Sequence, residues 1–454
     1  MVLQLHNTLT RTLDRFEPID PANIRVYVCG ATVYDTAHLG NARSAVVFDL
    51  LRTVLEADWP KVTFVRNITD IEDKIITRAR ETGRSIGEVT EASIRFQDED
   101  LALIGVRPPT FAPRATRHIR EMQAMIQQLI TLGHAYAAEG HVLFDVRSNP
   151  RAGILSGQNL DSLREGARVD VAPYKRDPAD FVLWKPSLPD QPGWDSPWGR
   201  GRPGWHIECS AMAATYLGPE FDIHGGGNDL IFPHHENEVA QSTCAHGTKH
   251  MARYWLHNGM LTVNGRKMAK SAGQITTVRQ LLAEYPGKAE AIRLMVLSTH
   301  YRQPLDFTRT RMAEAIQTLD RAYGALRGMP ENSAGNQSVM EALHDDLNTP
   351  LAITRLHEAV GAVNSAPDDI TRRRRAAELR AAGRLLGVLK SDPEAWFHVS
   401  SDENEIASID RLIADRTAAR ARRDFAMADR IRDALAEQGI VLEDQPNGTV
   451  WHRT

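Results

Sequence analysis

A chain of 454 residues is too long for one hydrophobic core, so roughly two to four domains are expected. With 42% hydrophobic and 25% charged residues, and no run near the about eighteen apolar residues of a membrane helix, the composition is globular and excludes a membrane-spanning helix protein. The net charge of −4 excludes a general basic coat for nucleic acid but leaves room for a local basic face, and three Cys cannot pair off, which fits a reducing cytoplasm with free thiols or metal ligation.

The N-terminal MVLQLHNTLTRTLDRF has no apolar core of the signal-peptide kind. The first organised stretch is Val26 to Arg43: a short buried strand (Val26, Tyr27, Val28), Cys29 at its end, and a turn-rich loop to His38, Gly40 and Asn41. An apolar helix follows, with Ala45, Val46, Val47, Phe48, Leu50, Leu51 and Leu55. Such a unit sets a helix N-terminus, with its unpaired N–H groups and positive dipole end, at a sheet edge, where phosphates bind readily. Val62 to Val65 reads as a second strand ending in Arg66-Asn67-Ile68-Thr69-Asp70, with a helix from about Glu72 to Arg80. Alternating strands and helices predict a doubly wound parallel sheet whose ligands sit at the carboxyl ends of the strands, where Cys29 and Thr69 fall.

Arg107-Pro108-Pro109-Thr110 marks a boundary, and an amphipathic helix then carries Ile119, Met122, Ile126 and Leu129 on one face up to Gly133. From Val142 to about Pro203 the pattern is strand, then loop, crowded with Pro and with Trp184, Trp194, Trp198 and Trp205; it predicts an insertion that splits the sheet domain. The sheet resumes at Phe221-Asp222-Ile223-His224 and Gly225-Gly226-Gly227, then a helix with PHHENEVA. Asn264-Gly265 predicts a type I′ hairpin. From Phe307 the pattern is a helical bundle, and a last small unit pairs two helices with two strands around Gln445-Pro446-Asn447-Gly448. The expected organisation is a Rossmann-like α/β catalytic domain over 1–115 and 204–260, an insertion over 116–203, a loop and stem-contact region over 261–306, a helical bundle over 307–395 and a small α/β domain over 402–454.

Two groups of residues carry chemistry. Cys29, Cys209 and the run Pro233 to Glu238 can build a metal site, because His234 and Glu238, four apart on a helix, share a face. Two thiolates, an imidazole and a carboxylate make a tetrahedral zinc shell, and spacing alone leaves His235 as an alternative to His234. Buried structural thiols and a solvated His/Glu helix face account for the same residues more plainly. In the second group, His38 and Asn41 can donate to a phosphate chain and Gly40 lets a flat base approach, while Lys267 and Lys270 after the hairpin can close over the same phosphates. Alone, that Lys pair is equally a solvated basic turn.

Together these motifs resemble the cysteinyl-tRNA synthetases, class I aminoacyl-tRNA synthetases of bacterial type. The resemblance runs through YVCGATVYDTAHLGNAR, FVRNITDIEDKI, WDSPWGRGRPGWHIECSAM, FDIHGGGNDLIFPHHENEVAQS, KMAKS and the closing RRDFAMADRIRDALAEQGIVLEDQPNGTVW. It implies one Zn²⁺ held by Cys29, Cys209, His234 and Glu238, with Cys244 outside the motif. The family's HIGH signature corresponds to His38, Leu39, Gly40 and Asn41, a departure at the last residue that keeps a donor; KMSKS corresponds to Lys267 to Ser271, with Ala269 for Ser. It further implies Gly30, Thr69, Trp205 and His224 around the bound cysteine, and Asp229 with Gly40 and Lys270 near ATP.

The function so implied is ATP-dependent charging of tRNA-Cys with L-cysteine, with ATP carried as its Mg²⁺ complex, in a cytoplasmic monomer without membrane contact. Shape alone separates cysteine from serine only about 10–200-fold, whereas a metal that prefers sulfur turns the same one-atom difference into a bonding difference. The terminal unit would hold the anticodon, with Arg416, Arg420, Arg422 and Arg423 as phosphate contacts and Trp451 as a stacking surface. Two rivals keep the same motifs: a cysteine ligase with a small amine acceptor, of the mycothiol-pathway kind, which should lack the terminal unit, and a non-catalytic zinc-containing tRNA-binding relative.

Overall fold

The computed structural model describes residues 2–34, 36–158, 172–267, 276–331, 335–398, 403–445 and 448–453. The chain forms two compact units, one made of Met1–Arg279, Val296–Thr308 and Gln337–Ala352, the other of Gln280–Met295, Arg309–Asn336 and Ile353–Thr454. Gln337–Ala352 groups with the sheet-bearing unit.

The first unit is built on four parallel strands. β1 (Ile24–Val28) is followed by the long helix α1 (Leu39–Asp58) and by β2 (Val62–Arg66). After the insertion come α2 (Trp205–Leu217), β3 (Phe221–Gly227), α3 (Glu236–His246) and β4 (Ala252–Asn258). The order across the sheet is β4-β3-β1-β2, all parallel. Ile24, Val26, Tyr27 and Val28 are buried, as expected of a parallel strand covered on both faces. β1 pairs with β2 on one side and β3 on the other, so the chain leaves it in two directions and a crevice opens at its carboxyl end, where Cys29 stands. Trp255, Phe221, Ile207, Met212 and Tyr27 lie in the core behind that end.

The insertion is more ordered than a loop. Ala135–Ala138, His141–Phe144, Phe181–Pro186 and Gly201–Pro203 form an antiparallel sheet in that order. The close approach of its last strand needs a bare Cα at Gly204, where a Cβ would fall 2.0 Å from the Val182 carbonyl oxygen. The hairpin at Asn264-Gly265 forms as its sequence predicts, both residues having positive φ (49° and 73°), with Thr262 opposite Lys267.

In the second unit, helices are pinned by a few polar joints. The Glu290 carboxylate accepts from the Tyr323 hydroxyl and from the N–H groups of Leu389, Lys390 and Ser391. At the C-terminal end, Glu403–Ala421 and Phe425–Ala436 pack on the hairpin Ile440–Gln445/Gly448–Arg453 around Ile409, Ile413, Ile431, Leu435 and Trp451. Among the described residues, no helix is long and apolar enough to cross a membrane.

Candidate functional site

Cys29 is fixed at the strand end by its own N–H, which donates to the Gly225 carbonyl of β3 at 3.0 Å. Gly30 follows with its N–H on Asn67 Oδ1 at 2.8 Å, so tightly that a Cβ there would lie 1.8 Å from the Asn67 carbonyl oxygen. Asn67 also donates to the buried Thr69 hydroxyl at 3.2 Å, which aligns the ends of β1 and β2. Cys209 comes from the second turn of α2; the short segment Ile231–His235, bent at Phe232, carries His234, and α3 directly after it delivers Glu238.

Cys29, Cys209, His234 and Glu238 present Sγ, Sγ, a ring nitrogen and a carboxylate oxygen within 4.8 Å of one another. The Cys29 and Cys209 sulfurs are 3.6 Å apart, Cys29 Sγ and Glu238 Oε1 are 3.5 Å apart, and His234 Nε2 lies 3.0 Å from Glu238 Oε1. Tetrahedral zinc with ordinary bond lengths requires about 3.8, about 3.6 and about 3.4 Å for those three separations. The donor set therefore fits zinc with displacements of tenths of an ångström.

The protons fit too. Desolvation, together with the facing Cys209 and Glu238, pushes the half-buried Cys29 thiol well above the ordinary thiol range. Cys209 receives the Cys29 S–H and neighbours His234, and falls to about 6. Burial opposes a charge on His234, yet Glu238 and Cys209 raise it to about 10. Glu238 is likewise buried, and His224 and His234 hold it well below the usual carboxylate range. A thiolate, an imidazolium and a carboxylate thus sit together, and a metal entering them displaces protons and keeps the anionic donors.

An outer ring of histidines orients these groups. His206 lies 2.9 Å from His234, Nδ1 to Nδ1; burial and the facing His234 lower its pKa to about 3, so it is neutral and accepts the bond. That leaves His234 Nε2 aimed at Glu238. His224 Nε2 holds the other carboxylate oxygen, Oε2, at 2.8 Å. A second set, Cys29, His224, His235 and Glu238, also falls within metal-binding distance. There His235 is taken up by His257 Nε2 at 2.8 Å through its Nδ1, and His257 in turn by the Thr8 hydroxyl at 2.7 Å. Trp205, 40% exposed, stacks on the His234 ring at 4.2 Å and roofs the first set. Of the residues expected around a bound amino acid, Gly30 adjoins Cys29, Trp205 stacks on His234 and Thr69 is joined to Gly30 through Asn67, whereas His224 lies buried behind Glu238.

His38 caps α1, its Nδ1 accepting the Asn41 N–H at 3.2 Å, and Gly40 and Asn41 form the first turn. His38 is also paired in an antiparallel bridge with Thr277, while the Leu39 N–H donates to the Thr276 carbonyl at 2.9 Å. The glycines after His224 let β3 lie against its neighbours: a Cβ at Gly225 would meet the Phe48 ring at 2.2 Å, and one at Gly226 the His235 ring at 2.8 Å. Asp229 is exposed just past them. Lys267 ends the hairpin; Lys270 lies outside the described residues.

The terminal unit distributes its arginines unevenly. Arg416 makes two hydrogen bonds to Asp444, at 2.7 and 2.9 Å, and Arg420 a third at 2.5 Å, so both are spent on an internal carboxylate. Arg422 and Arg423 are exposed. Trp451 is no outer surface: it is 2% exposed, stacks on His398 at 4.0 Å and donates to Asp410 at 3.1 Å. Phe425, which its spacing from Ala428, Ile431 and Leu435 assigns to the apolar stripe of its helix, is instead an exposed aromatic beside Arg422 and Arg423. The sequence alone does not single out His206 and His257, although His206 precedes Cys209 by three on one helix face.

The chain matches the family described as tRNA synthetases class I (C) catalytic domain over residues 15–317, the DALR domain over 338–390 and the cysteinyl-tRNA ligase anticodon binding domain over 406–451. It is 56% identical over 460 residues to a cysteine–tRNA ligase of Rhodospirillum rubrum, and 57% identical over 458 residues to one of Rhodospirillum centenum, with all of each chain covered. Among solved structures it resembles the methionyl-tRNA synthetase of Mycobacterium tuberculosis at a TM-score of 0.57 and 12% identity, over 85% of this chain and 96% of that one. It also resembles a LeuRS of Agrobacterium radiobacter at a TM-score of 0.56 and 12% identity, over 86% and 87%.

Proposed function

Because the chain belongs to the cysteine–tRNA ligase family of class I aminoacyl-tRNA synthetases, we propose that Cys29, Cys209, His234 and Glu238 hold one zinc ion that selects the cysteine thiol for transfer to tRNA-Cys. The chain is an ATP-using aminoacyl-tRNA ligase of that family, with cysteine and tRNA as its other substrates. The observation that carries the zinc reading is the donor spacing: two sulfurs, a nitrogen and an oxygen, all but the half-buried Cys29 from buried residues, lie within tenths of an ångström of the separations a tetrahedral ion requires. A zinc ion there supplies a site that binds a thiolate far better than a hydroxyl. His206 and His224 turn the donors toward it, and the Trp205 indole limits water above it.

The chemistry at the other end of the crevice needs no covalent enzyme intermediate. The cysteine carboxylate oxygen attacks the α-phosphorus of ATP, and the bond to the bridging oxygen breaks to release pyrophosphate. The terminal ribose hydroxyl of tRNA then attacks the aminoacyl carbon and AMP leaves. His38, Asn41, Lys267 and Lys270 are assigned the developing negative charge, Gly40 and Asp229 the adenosine, and Gly30, Thr69 and Trp205 the amino acid. Mg²⁺ arrives with ATP, and the enzyme works as a monomer in the cytoplasm. The terminal unit binds the anticodon, with Arg422 and Arg423 as its exposed cations. That unit also argues against a small amine acceptor, for which it has no use.

The test is one aminoacylation series with total tRNA, comparing cysteine with serine. Charging with cysteine at least about 1,000-fold above serine, beyond what a shape-only pocket yields, supports the reading. Cysteine-dependent pyrophosphate exchange without any tRNA charging would move the assignment to the small-acceptor ligase.

A further inference from the structure

Helix α1 carries a buried cation whose described hydrogen-bond partners are all neutral. Arg43 is fully buried, and its guanidinium donates to the carbonyls of Gly259 at 2.9 Å, Met260 at 2.7 Å, Tyr301 at 3.2 Å, Gln303 at 2.5 Å and His300 at 3.4 Å. Burial alone lowers its pKa to about 10, so it remains charged at neutral pH. Burying a charge is costly, and an apolar side chain would fill the same volume without that cost. What a guanidinium adds is direction: a planar fork that holds several acceptors in one arrangement.

The acceptors belong to two segments that are held rigid from behind. The Gly259 N–H donates to the Tyr301 carbonyl at 2.7 Å, and the Leu305 N–H to the Met260 carbonyl at 3.0 Å. No side chain fits at Gly259, where a Cβ would lie 2.4 Å from the Gln303 carbonyl oxygen. The Asp346 carboxylate accepts from the Tyr301 hydroxyl at 2.8 Å, from Arg302 Nε at 2.7 Å and from the His6 N–H at 2.8 Å, which fixes the 300–303 segment. Directly after Met260 comes Leu261–Val263, which pairs with Leu305–Phe307 on one side and with Arg266–Lys267 on the other. Arg43 stands five residues past His38 and two past Asn41 on the same helix. The guanidinium is thus the joint between the helix start and the hairpin that ends at Lys267.

We propose that Arg43 is a positioning residue for cysteine activation: it fixes the Lys267 hairpin relative to the α1 start so that both meet one triphosphate. The proposal rests on the nucleotide reading of His38 and Lys267 given above. It predicts an effect on ATP and none on the amino acid, because the zinc cluster is fixed by other contacts.

The test uses the full-length, zinc-replete chain and cysteine-dependent ATP–pyrophosphate exchange, with the two substrates varied separately. Arg43→Lys keeps the charge and loses the fork. It should lower kcat/KM for ATP on the order of 100-fold, as expected when a reacting group is displaced by about 1 Å, with KM for cysteine and zinc per chain within about twofold of wild type. Asp346→Asn leaves Arg43 intact and loosens the carbonyls it grips, so a loss of about tenfold with the same ATP selectivity is expected, and this variant carries the test if Arg43→Lys does not fold. Unchanged exchange kinetics beside a lowered Tm, or losses for ATP and cysteine in equal proportion, would overturn the proposal. Absence of exchange in the wild-type chain would instead overturn the nucleotide-site reading beneath it.

Discussion

His38 is held to Thr277 by an antiparallel bridge and at the same time caps α1 with its own ring, Nδ1 accepting the Asn41 N–H at 3.2 Å. The residue assigned to phosphate chemistry therefore also has a folding role, and the two can be separated. Asn is as good an N-cap as the position can have but has no imidazole, whereas Ala provides neither cap nor ring. Both His38→Asn and His38→Ala should lower pyrophosphate exchange by about 10²–10³-fold, the cost of removing one preorganised donor. Only His38→Ala should also lose stability, by about 1 kcal/mol in denaturant melts. If His38→Asn exchanges like wild type, the imidazole has no part in the chemistry and the cap explains the residue.

Cys209→Ser tests the donor set. A hydroxyl is a poor zinc ligand and cannot supply the thiolate that Cys209 offers. Zinc affinity should fall at least about 100-fold, since outer partners alone are worth about 10–100-fold, and the preference for cysteine over serine should fall with it. Metal analysis after dialysis against a graded chelator reads the first, and exchange kinetics with each amino acid the second. Retained zinc and retained selectivity would shift the assignment to the overlapping set of Cys29, His224, His235 and Glu238.

What the sequence made legible was local. The strand, loop and helix around Cys29 and His38, the Asn-Gly hairpin and the i, i+4 pairing of His234 with Glu238 follow from periodicity, turn chemistry and helix geometry. Joining residue 29 to residues 209, 234 and 238 needed the family resemblance, because nothing in a single chain reports which distant segments meet. The misreadings are non-local in the same way. Arg416 looked like a free cation because its partner, Asp444, is twenty-eight positions away across a hairpin, and Trp451 looked like a surface until strand pairing turned it inward. The insertion read as strand and loop because its short strands pair only through tertiary contacts.

The Asp444 cluster gives a pH dependence of definite sign. Arg416, with help from Thr449 and Arg420, holds the Asp444 carboxyl well below the usual carboxylate range. A depressed native pKa contributes stability that is present above the unfolded value of about 3.9 and is lost as pH falls through the native value. Protection of the 440–445 and 448–453 strands against hydrogen exchange, corrected for the intrinsic rate, should therefore be flat from pH 7 to 5 and decline below about 4. In Asp444→Asn this part of the decline should vanish, while protection at pH 7 drops by about 1 kcal/mol, since the Asp444 carboxylate is exposed. An identical acid profile in both proteins would assign the acid sensitivity to another carboxylate.

Trp451→Ala separates the two halves of the reaction. The indole fills the small core with Ile409, Ile413, Ile431 and Leu435, and its N–H satisfies Asp410. Truncating a buried Trp costs about 3–5 kcal/mol, a large part of what so small a core supplies, so the terminal unit should open. Activation of cysteine needs only the first unit's residues and no tRNA, so cysteine-dependent exchange should stay within about twofold of wild type. Charging of tRNA should fall by at least about tenfold, chiefly through KM for tRNA, because contacts remote from the reacting atoms contribute binding in ground and transition states alike. The informative pair of measurements is exchange and charging on the same preparation. Were both to fall together, the terminal unit would be needed for the integrity of the whole chain; were neither to fall, the anticodon would be read elsewhere.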